Sequence, residues 1–506
     1  MNALILTLTV AMAGEFGQVG APAVQPEIPD GGIVDPYGEL RLIYSLPPDV
    51  QLDTDGTMLG QEWMLDSRLR TGLALGGGGV RFVLEGDLID GQLAGDAWDI
   101  PGEEDARDRH RVGVGDAADY DLRKAFVKAR LGPIGVQAGV ATSHWGLGLL
   151  ANDGNRDPVF GRNDFGDRVV RVQVGSRPFG GGDVPLTISL AGDRVIEDEF
   201  ARWHPFGEEG EKGQKAWQGI GALLWAPEDG ATFGAYGVHR RQTEEDDERT
   251  TIITALDAYA DWTGELGNMK LRLAGEGATL LGSSDRSLNY NTRYEGSRQK
   301  VRAGGITGLV EVAQDDLPVR GILRGGWASG DGNPDNDTVN DFAYDRDFDA
   351  GMVAHDELLG AIDASAYDQI GRPEHSGGAP EGADAIVREG AFLHAIFVQP
   401  VVAVDATGWL ELRAGPTLHW ATAPISQPFS TTRNGGVPAN HLGEQTEGYA
   451  IGTELNWAVE VGDVLVGPEK VGLKPALLLQ GGHLLASDNL GGEMVSLVTA
   501  TGRVRW

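Results

Sequence analysis

Basic side chains recur at alternate positions in many stretches of this 506-residue sequence, opposite positions that carry apolar residues. Arg68 and Arg70, for example, flank Leu69. A row of fixed cations can bind anions or set the electric field that a passing ion experiences. The predicted row comprises Arg68, Arg70, Arg81, Lys124, Lys128, Arg130, Arg171, Lys270, Arg272, Arg320, Arg324 and Arg413, and it continues with Arg503 and Arg505.

Fewer acidic residues share these faces, although the whole chain has a formal net charge of −34 at pH 7. The acidic excess concentrates between the alternating stretches, for example in residues 244–248 and 330–350. Charge on a confined, low-dielectric wall acts more strongly on a nearby ion than screened loop charge does. We therefore predict a mild preference for anions. The alternative is that arginines and glutamates pair across strands and cancel.

An aspartate-rich stretch, Gly326–Gly351, could present oxygen ligands to Ca²⁺. Asp331, Asn333, Asp335 and Asp337 recur at two-residue spacing, as do carboxylates in some calcium loops. No glutamate closes the loop at the position that an EF-hand requires. The sequence therefore allows two interpretations, a calcium site at Asp331, Asp335 and Asp337 or a polar loop that is rich in turns.

Motifs of catalysis are absent from the sequence. It has no His-Glu-x-x-His pair, no Gly-x-Ser-x-Gly elbow and no phosphate-binding loop after a strand. It contains no cysteine, which excludes disulfides, thiol catalysis and iron–sulfur clusters. The negative charge argues against nucleic-acid binding. We predict a protein that is not an enzyme and that has no cofactor apart from the candidate calcium ion.

The alternating stretches predict an all-β protein. Apolar Val170, Val172 and Val174 oppose Arg171 and Gln173, for instance, which is the period of a strand with one apolar and one polar face. We predict strands at 38–46, 62–75, 80–90, 120–131, 134–144, 167–175, 186–198, 216–226, 231–243, 251–262, 269–281, 301–313, 318–329, 390–404, 409–422, 449–461, 472–486 and 493–506.

The connections between these strands alternate between short turns and long polar loops. This alternation is typical of outer-membrane barrels, whose turns are periplasmic and whose loops are extracellular. After residue 14 no apolar run reaches the roughly 18 residues that a membrane helix needs. The sequence therefore predicts a transmembrane antiparallel up-and-down β-barrel of about 18 strands, or 16 if boundaries are misjudged, with both termini in the periplasm.

Tryptophans fall near the ends of the predicted strands. Indole is amphipathic and favours the interface between lipid and water, where it forms girdles around barrels. Trp409 departs from the pattern, because it shares the face of Glu411. The predicted girdle residues are Trp63, Trp217, Trp327 and Trp420 at the extracellular end and Trp225, Trp262 and Trp506 at the periplasmic end.

The third long loop is a candidate constriction of the barrel. Its glycines, among them Gly146 and Gly154, permit an inward fold, and its apolar residues need a surface to pack against. The third loop narrows the pore in many large porins, so this step is an analogy. An outward-lying loop is the alternative. The candidate constriction residues are His144, Trp145, Asn152 and Asp153.

Both ends of the chain carry features of an exported barrel. Residues 1–13 form an apolar segment that ends in an Ala-x-Ala cleavage site and predict a signal peptide, although its start lacks Lys or Arg. Residues 14–37 predict a periplasmic tether and 38–506 the barrel. The last strand ends on Trp506, and a terminal aromatic resembles the signal that the barrel assembly machinery reads.

Two segments carry a resemblance to known families. Ser143–Asn155 (SHWGLGLLANDGN) resembles a segment of an uncharacterised family of deltaproteobacterial outer-membrane proteins. Gly326–Gly351 together with Leu122–Leu131 (LRKAFVKARL) is similar to the alginate-export type of 18-stranded channel. The similarity covers about a quarter of the chain. It implies a barrel of this size and a role in transport, without a site for alginate.

These observations lead to two main functional hypotheses, and a barrel hydrolase ranks below both because no Ser/His/Asp arrangement is visible in the sequence. A barrel of this size leaves an aqueous lumen, which favours a porin-like channel for small or oligomeric solutes. The alternative is a surface barrel whose long acidic loops bind a ligand, a partner or divalent-bridged lipopolysaccharide. A plugged lumen would favour the alternative. Either protein would contact outer-membrane lipid and lipopolysaccharide, and neither would bind nucleic acid.

Overall fold

A computed structural model of the chain describes residues 33–96, 119–163, 166–179, 184–198, 200–203, 213–227, 229–244, 249–285, 298–314, 317–332, 337–371, 393–434, 437–446, 448–462 and 472–506. The predicted signal peptide of residues 1–13 lies outside these ranges. The long strands are β1 (Ile33–Leu46), β2 (Met64–Gly77), β3 (Val80–Gly95), β4 (Asp119–Leu131), β5 (Ile134–Thr142), β6 (Arg168–Ser176), β7 (Leu186–Asp198), β8 (Lys215–Trp225), β9 (Ala231–Thr243), β10 (Thr250–Leu266), β11 (Met269–Ser284), β12 (Gln299–Gln314), β13 (Val319–Ala328), β14 (Ala395–Thr407), β15 (Leu410–Ala421), β16 (Ala450–Gly462), β17 (Lys474–Ala486) and β18 (Met494–Arg505).

The long strands form one closed barrel. Each pairs antiparallel with the next in sequence, and β18 pairs with β1 from Glu39↔Arg505 to Leu46↔Val498. Closure gives every long strand a hydrogen-bonded neighbour on each side and leaves no open edge in the sheet, which is what a lipid environment requires. The prediction of an antiparallel 18-stranded barrel is therefore confirmed.

Alternation along each strand separates an apolar outer face from a polar inner face. Leu84, Val172 and Leu256 on the outer face are 44%, 58% and 52% exposed. Arg70 and Asp257 on the inner face are 6% and 5% exposed, because they contact other inner-wall or loop groups. The outer face provides the apolar belt that a lipid bilayer needs. Among the described residues, no helix is both long enough and apolar enough to span a membrane.

The strands are joined by short turns at one barrel end and long loops at the other. Residues 78–79, 132–133, 267–268 and 408–409 are two-residue turns. We number the long loops L1 to L9 in chain order. L1 (47–63), L3 (143–167), L7 (329–394), L8 (422–449) and L9 (487–493) contribute apolar side chains to the buried interior. L7 contains a π-helix (Ala354–Leu359) and α1 (Gly360–Gly371), L8 contains α2 (Pro428–Arg433), and L9 contains a 3₁₀ turn (Asp488–Leu490).

Four two-residue strands complete the described part of the structure. Val50–Gln51 pairs with Met58–Leu59 inside L1, and Ala201–Arg202 pairs with the end of β7. Thr338–Val339, in L7, pairs parallel with β12.

Strand β1 begins five residues before the predicted start at residue 38, inside the segment that the sequence assigned to the tether. Pro36 made this segment a poor strand candidate, since proline cannot donate a backbone hydrogen bond. Residues 33–37 pair with β2, from Ile33↔Gly76 to Tyr37↔Gly72, whereas pairing on the other side starts at Gly38, whose backbone exchanges two hydrogen bonds with that of Trp506. The start of β1 is thus paired on one side only, where a proline is tolerated.

The apolar core of the molecule lies inside the barrel, where loops pack against the inner wall. Its largest fully buried side chains include Phe342, Tyr344 and Met352 from L7 together with Phe160 and Leu149 from L3. L1 adds two leucines that are 0% exposed, Leu52 and Leu59. The inward-folded loops therefore fill part of the lumen with a core of their own.

Candidate functional site

A chamber of about 850 Å³ remains in the lumen beside the inward-folded loops. Its wall comes from β1, β2, β3, β12, β13, β15, β16 and β18, and its other side from L3 and from residues 347–349 of L7. Nine arginines and eight carboxylates line it. A chamber of this size, with a charged wall, can hold a small hydrated solute.

The structure brings five of the twelve predicted basic residues to this chamber, namely Arg68, Arg70, Arg320, Arg324 and Arg413. Arg503 and Arg505 from the continuation of the row also line it. Seven predicted residues do not line it: Arg81, Lys124, Lys128, Arg130, Arg171, Lys270 and Arg272. Some of these seven form ion pairs on the inner wall. Arg171 pairs with Asp193 at 2.7 Å, and Lys124 pairs with Glu85 at 2.8 Å.

The sequence pattern did not reveal three arginines of the barrel interior, two of which line the chamber. Arg41 lies on the inner face of β1, and its alternation with the exposed Leu42 could have shown this. Arg156 lines the chamber from L3. Arg123 is 2% exposed and lies 3.5 Å from Glu85, although strict alternation with Lys124 would place it on the lipid face. A register shift between Glu85 and Gly86, opposite this part of β4, interrupts the alternation there.

Arginines and carboxylates are interspersed on the chamber wall, and many of them pair with one another. Arg70 contacts Asp87 of the next strand at 2.7 Å, and Arg320 contacts Glu411 at 2.6 Å. Arg413 bridges Glu411 at 3.1 Å and Glu460 at 3.3 Å. These pairs fix the long side chains, so the wall presents ordered donors and acceptors in place of a uniform field.

The beginning of L3 is attached to the opposite wall of the barrel. Trp145 is 2% exposed, stacks on Tyr236 at a centroid distance of 5.0 Å and donates a hydrogen bond to Asp257 at 2.7 Å. Next to it, Gly146 has φ +53°, and a Cβ there would lie 2.5 Å from an oxygen of Glu276. Only glycine fits this turn, which directs L3 into the lumen.

The other predicted constriction residues lie where L3 meets L7 and the wall. His144 forms a hydrogen bond with the carbonyl of Gly146, and burial together with the nearby Arg156 lowers its pKa to about 4. Asn152 donates its backbone N–H to Asp345 at 2.7 Å and its side-chain amide to the carbonyl of Asp347 at 3.0 Å. The backbone carbonyl of Asp153 accepts a hydrogen bond from Arg123 at 2.7 Å.

L7 is a second inward loop, which the sequence pattern had suggested to be external. Glu454 of β16 is 0% exposed and accepts hydrogen bonds from the backbone of Met352 at 2.5 Å and Ala354 at 3.0 Å. Arg324 of β13 donates to the carbonyl of Asp349 at 2.9 Å. The placement of the whole 330–350 stretch among screened external charges was therefore wrong. Its residues Asp345, Asp347 and Asp349 are each 2% exposed inside the barrel.

The predicted girdle tryptophans all lie at strand ends with 36% to 62% of their surface exposed. Trp63, Trp217, Trp327 and Trp420 lie at the long-loop end, and Trp225, Trp262 and Trp506 lie at the short-turn end. Trp409 is 53% exposed in the two-residue turn before β15.

The aspartates of the predicted calcium site have other partners where the structure describes them. Asp337 forms an ion pair with Lys300 at 2.8 Å. Asp331 accepts the backbone N–H of Asn340 at 3.3 Å, and its own backbone N–H donates to Asp341 at 2.7 Å. Asp335 lies outside the described residues. Within the described part of the chain, no three acidic or histidine side chains are grouped as a metal site.

Solved structures share this fold. OccAB1 of Acinetobacter baumannii matches with a TM-score of 0.52 and 13% identity, over 93% of this chain and 96% of that one. Pseudomonas aeruginosa OccK11 (OpdR) matches with a TM-score of 0.50 and 12% identity, over 95% and 98%. OccD3 (OpdP) from the same organism matches with a TM-score of 0.50 and 14% identity, over 97% of this chain and 94% of that one.

These three proteins are Occ/Opd outer-membrane porins, which are not enzymes. At such identities the likeness shows the fold alone, and this chain accordingly has a porin-type barrel. No protein-family model matches the sequence, and no curated protein matches it. The resemblance to a deltaproteobacterial family and to alginate-export channels stays a prediction.

Proposed function

We propose that this protein is an outer-membrane channel through which small solutes pass selectively, with a mild preference for anions. The observation that carries the proposal is the chamber of about 850 Å³ inside a closed barrel, lined by paired arginines and carboxylates. The inward-folded L3 and L7 narrow the lumen around it. A solute that passes must exchange water for contacts with ordered charged groups, and this exchange is a basis for selectivity.

The preference for anions rests on the arginines that line the chamber. Nine arginines face eight carboxylates there, so the wall is close to balanced in formal charge. Each guanidinium has five N–H donors, more than one carboxylate can occupy. An arginine whose remaining donors contact neutral groups, as Arg324 contacts Gln399 at 3.0 Å, can exchange such a contact for a passing anion, and we expect the selectivity to be weak because most of the charge is paired.

The proposal is tested with purified protein in a planar lipid bilayer under a KCl gradient. Arg320→Gln and Glu411→Gln remove opposite charges from one ion pair of 2.6 Å and serve as matched variants. We expect stepwise conductance with an anion-side reversal potential, shifted toward cations by Arg320→Gln and toward anions by Glu411→Gln. A cation-selective wild type would overturn the anion preference, and folded protein without conductance would overturn the channel.

The surface-binding alternative has one observation in its favour, because L1, L7 and L8 form a packed cap. Ser365 donates to Asp53 at 2.5 Å, and Gln427 and Gln369 lie within hydrogen-bond distance at 3.4 Å. A packed cap of this kind restricts entry into the barrel lumen, and its outer surface is also available for binding a ligand. Folded protein that does not conduct would favour this function.

We also propose that both termini are periplasmic, that the barrel contacts lipopolysaccharide through its outer surface, and that the assembly machinery recognises the β18 strand. Calcium binding at Asp331, Asp335 and Asp337 remains a prediction. The ion pair between Asp337 and Lys300 competes with it.

A further inference from the structure

A patch of cations lies on one side of the outer face of the barrel. Among the described residues of the long strands, alternation places only five Lys or Arg side chains on the lipid-facing side. They are Arg194 of β7, Lys215 of β8, Arg241 of β9, and Lys300 and Arg302 of β12. Each lies near the long-loop end of its strand. The patch therefore belongs to one edge of the bilayer and to the neighbouring strands β7 to β12.

Strand pairing places Arg194 and Arg241 on either side of Trp217. Trp217 is in register with both residues, so three adjacent strands carry a cation, an indole and a cation in one row. Neighbouring strands are about 4.8 Å apart, which separates the two arginine positions by roughly 10 Å. Trp217 is 62% exposed and is one of the girdle tryptophans at the long-loop end. The row therefore lies at the level where a bilayer meets water.

Arg194 is a buried cation that no carboxylate of the described residues neutralises. It is 7% exposed, and its guanidinium lies 4.6 Å from the ring centroid of Trp203 and 5.3 Å from that of Trp217. Nη2 donates to the carbonyl of Gln214 at 3.4 Å, and Nη1 has no hydrogen-bond partner in the described part of the chain. A charge at an apolar interface is costly without a counter-charge, and here the counter-charge must come from outside the described wall.

Arg241 and Arg302 are the exposed arginines of the patch. Within the described ranges neither forms an ion pair with a carboxylate, whereas Lys300 pairs with Asp337 at 2.8 Å. We call Arg194, Arg241 and Arg302 the outer cluster. A guanidinium presents a planar fork of donors that matches a phosphate group, and cations at a membrane surface attract phosphorylated headgroups. The outer cluster thus has the charge and the donor geometry for lipid phosphate.

We propose that the outer cluster binds the phosphate groups of lipopolysaccharide in the outer leaflet. The apolar belt beneath the row contacts the acyl chains, the indoles lie at the interface, and the arginines donate to phosphate. This inference rests on the proposed outer-membrane location, and it gives the contact with lipopolysaccharide a defined place on one side of the barrel. It differs from divalent bridging by acidic loops, because arginine–phosphate contacts need no metal ion.

Lipid A, the phosphorylated anchor of lipopolysaccharide, tests the site in detergent micelles that contain EDTA. The thermal unfolding midpoint of the full chain is measured against lipid A with its phosphates and against the same lipid without them, because a ligand of the folded state raises the midpoint. We expect stabilisation by the phosphorylated lipid alone. Equal stabilisation by both lipids, or binding that disappears when EDTA is added, would overturn the inference.

Inorganic phosphate separates a lipid site from a site for free anions. The acyl chains of lipid A bury apolar surface against the belt, so inorganic phosphate at the same concentration should leave the midpoint unchanged. Equal stabilisation by inorganic phosphate and by lipid A would overturn the lipid as the occupant.

Arg241→Gln and Arg302→Gln remove exposed cations, so both variants should fold. Each should raise the dissociation constant for lipid A about fivefold, and the double variant should raise it further. Lys474→Gln is the matched control, because Lys474 is an exposed cation at the short-turn end, where β17 begins. Its dissociation constant should equal that of wild type. A double variant that binds lipid A as tightly as wild type would overturn the site.

Bilayer recordings separate this inference from the proposed channel. The outer cluster does not line the chamber, so the conductance and the reversal potential of the double variant should equal those of wild type. A conducting wild type that does not bind lipid A would leave the channel standing and overturn the site. Lipid A binding that depends on the outer cluster, in a protein that does not conduct, would support the site and overturn the channel.

Discussion

L3 and L7 enter the lumen from the same end of the barrel, and both are attached to the wall by the same type of hydrogen bonding. Each places two backbone N–H groups on one buried carboxylate of a strand. In L3 the backbone of Leu147 and Leu149 donates to Glu276. In L7 the backbone of Met352 and Ala354 donates to Glu454. Two hydrogen bonds to one buried carboxyl group attach each loop firmly to the wall.

Beyond these attachments the two loops differ. L7 continues into an apolar core, where Met352, Val353 and Leu358 are 1%, 0% and 1% exposed. L3 returns to the chamber with a polar tip, where Asp157 forms ion pairs with Arg41, Arg503 and Arg505. Apolar burial resists exchange with a solute, whereas an ion pair at a wet surface exchanges readily. The difference indicates that L7 is a fixed wall of the chamber, whereas L3 combines a buried part, which includes Leu149 and Phe160, with a polar tip that faces the chamber.

Removal of residues 147–160 with a short Gly-Ser linker in their place should have the largest effect. These residues cross the lumen, so we expect single-channel conductance to rise severalfold while the β-type circular dichroism spectrum and the mobility shift on boiling in SDS are retained. Unchanged conductance in a folded deletion variant would show that L3 does not limit the passage of ions. The contrast between L3 and L7 would then be wrong.

Substitution of Glu454 should release L7. Glu454→Ala leaves two buried N–H groups of L7 without their acceptor, at a cost of about 3 kcal/mol. We expect a lower unfolding midpoint and new protease cleavage within residues 352–359. Glu454→Gln, which keeps one carbonyl acceptor, should show a smaller effect. Glu276→Ala is the parallel variant for L3, and equal cleavage of L7 in both variants would contradict separate attachments.

Acidification should loosen L3 through His144, with the smallest effect of the three. Burial and Arg156 lower the pKa of this histidine to about 4, below its ordinary value near 6.5. The folded loop thus favours neutral His144, and this stabilisation is present above pH 6.5 and is lost as the pH falls toward 4. Protease cleavage within L3 should increase over that interval. His144→Gln should abolish this pH dependence of cleavage. If the pH profile of the variant equals that of wild type, a group other than His144 causes the dependence.

The sequence predicted the barrel wall well because the wall is a local pattern. Alternation in a strand places side chains on two faces whatever the rest of the chain does, so β6 and β10 could be recognised from Val170–Val174 and Ile252–Trp262 alone. The positions of the tryptophans at strand ends followed from the same alternating pattern, because it also gave the approximate limits of each strand. Where the local period breaks, as at the register shift opposite Arg123, the prediction failed with it.

The candidate site was predicted in part. Seven chamber arginines, with Arg503 and Arg505 included, followed from alternation, and Trp145 was singled out because a large apolar side chain in a glycine-rich loop must find a surface. L7 was missed as an inward loop, because its aspartates suggest solvent exposure. Their burial depends on partners that are distant in sequence, such as the backbone N–H of Asn152 for Asp345 and that of Gly166 for Asp347.

By itself, the sequence determined the class of protein, its strand pattern and which side chains face inward, because these follow from neighbours along the chain. Tertiary structure alone decided which of the inward charges meet. Arg505 and Glu39 are 466 residues apart and become neighbours only when β18 pairs with β1. Asp157 joins them only because Gly146 directs L3 across the lumen. Closure of the barrel and the path of its loops are long-range events, and they create the chamber that local periodicity cannot reveal.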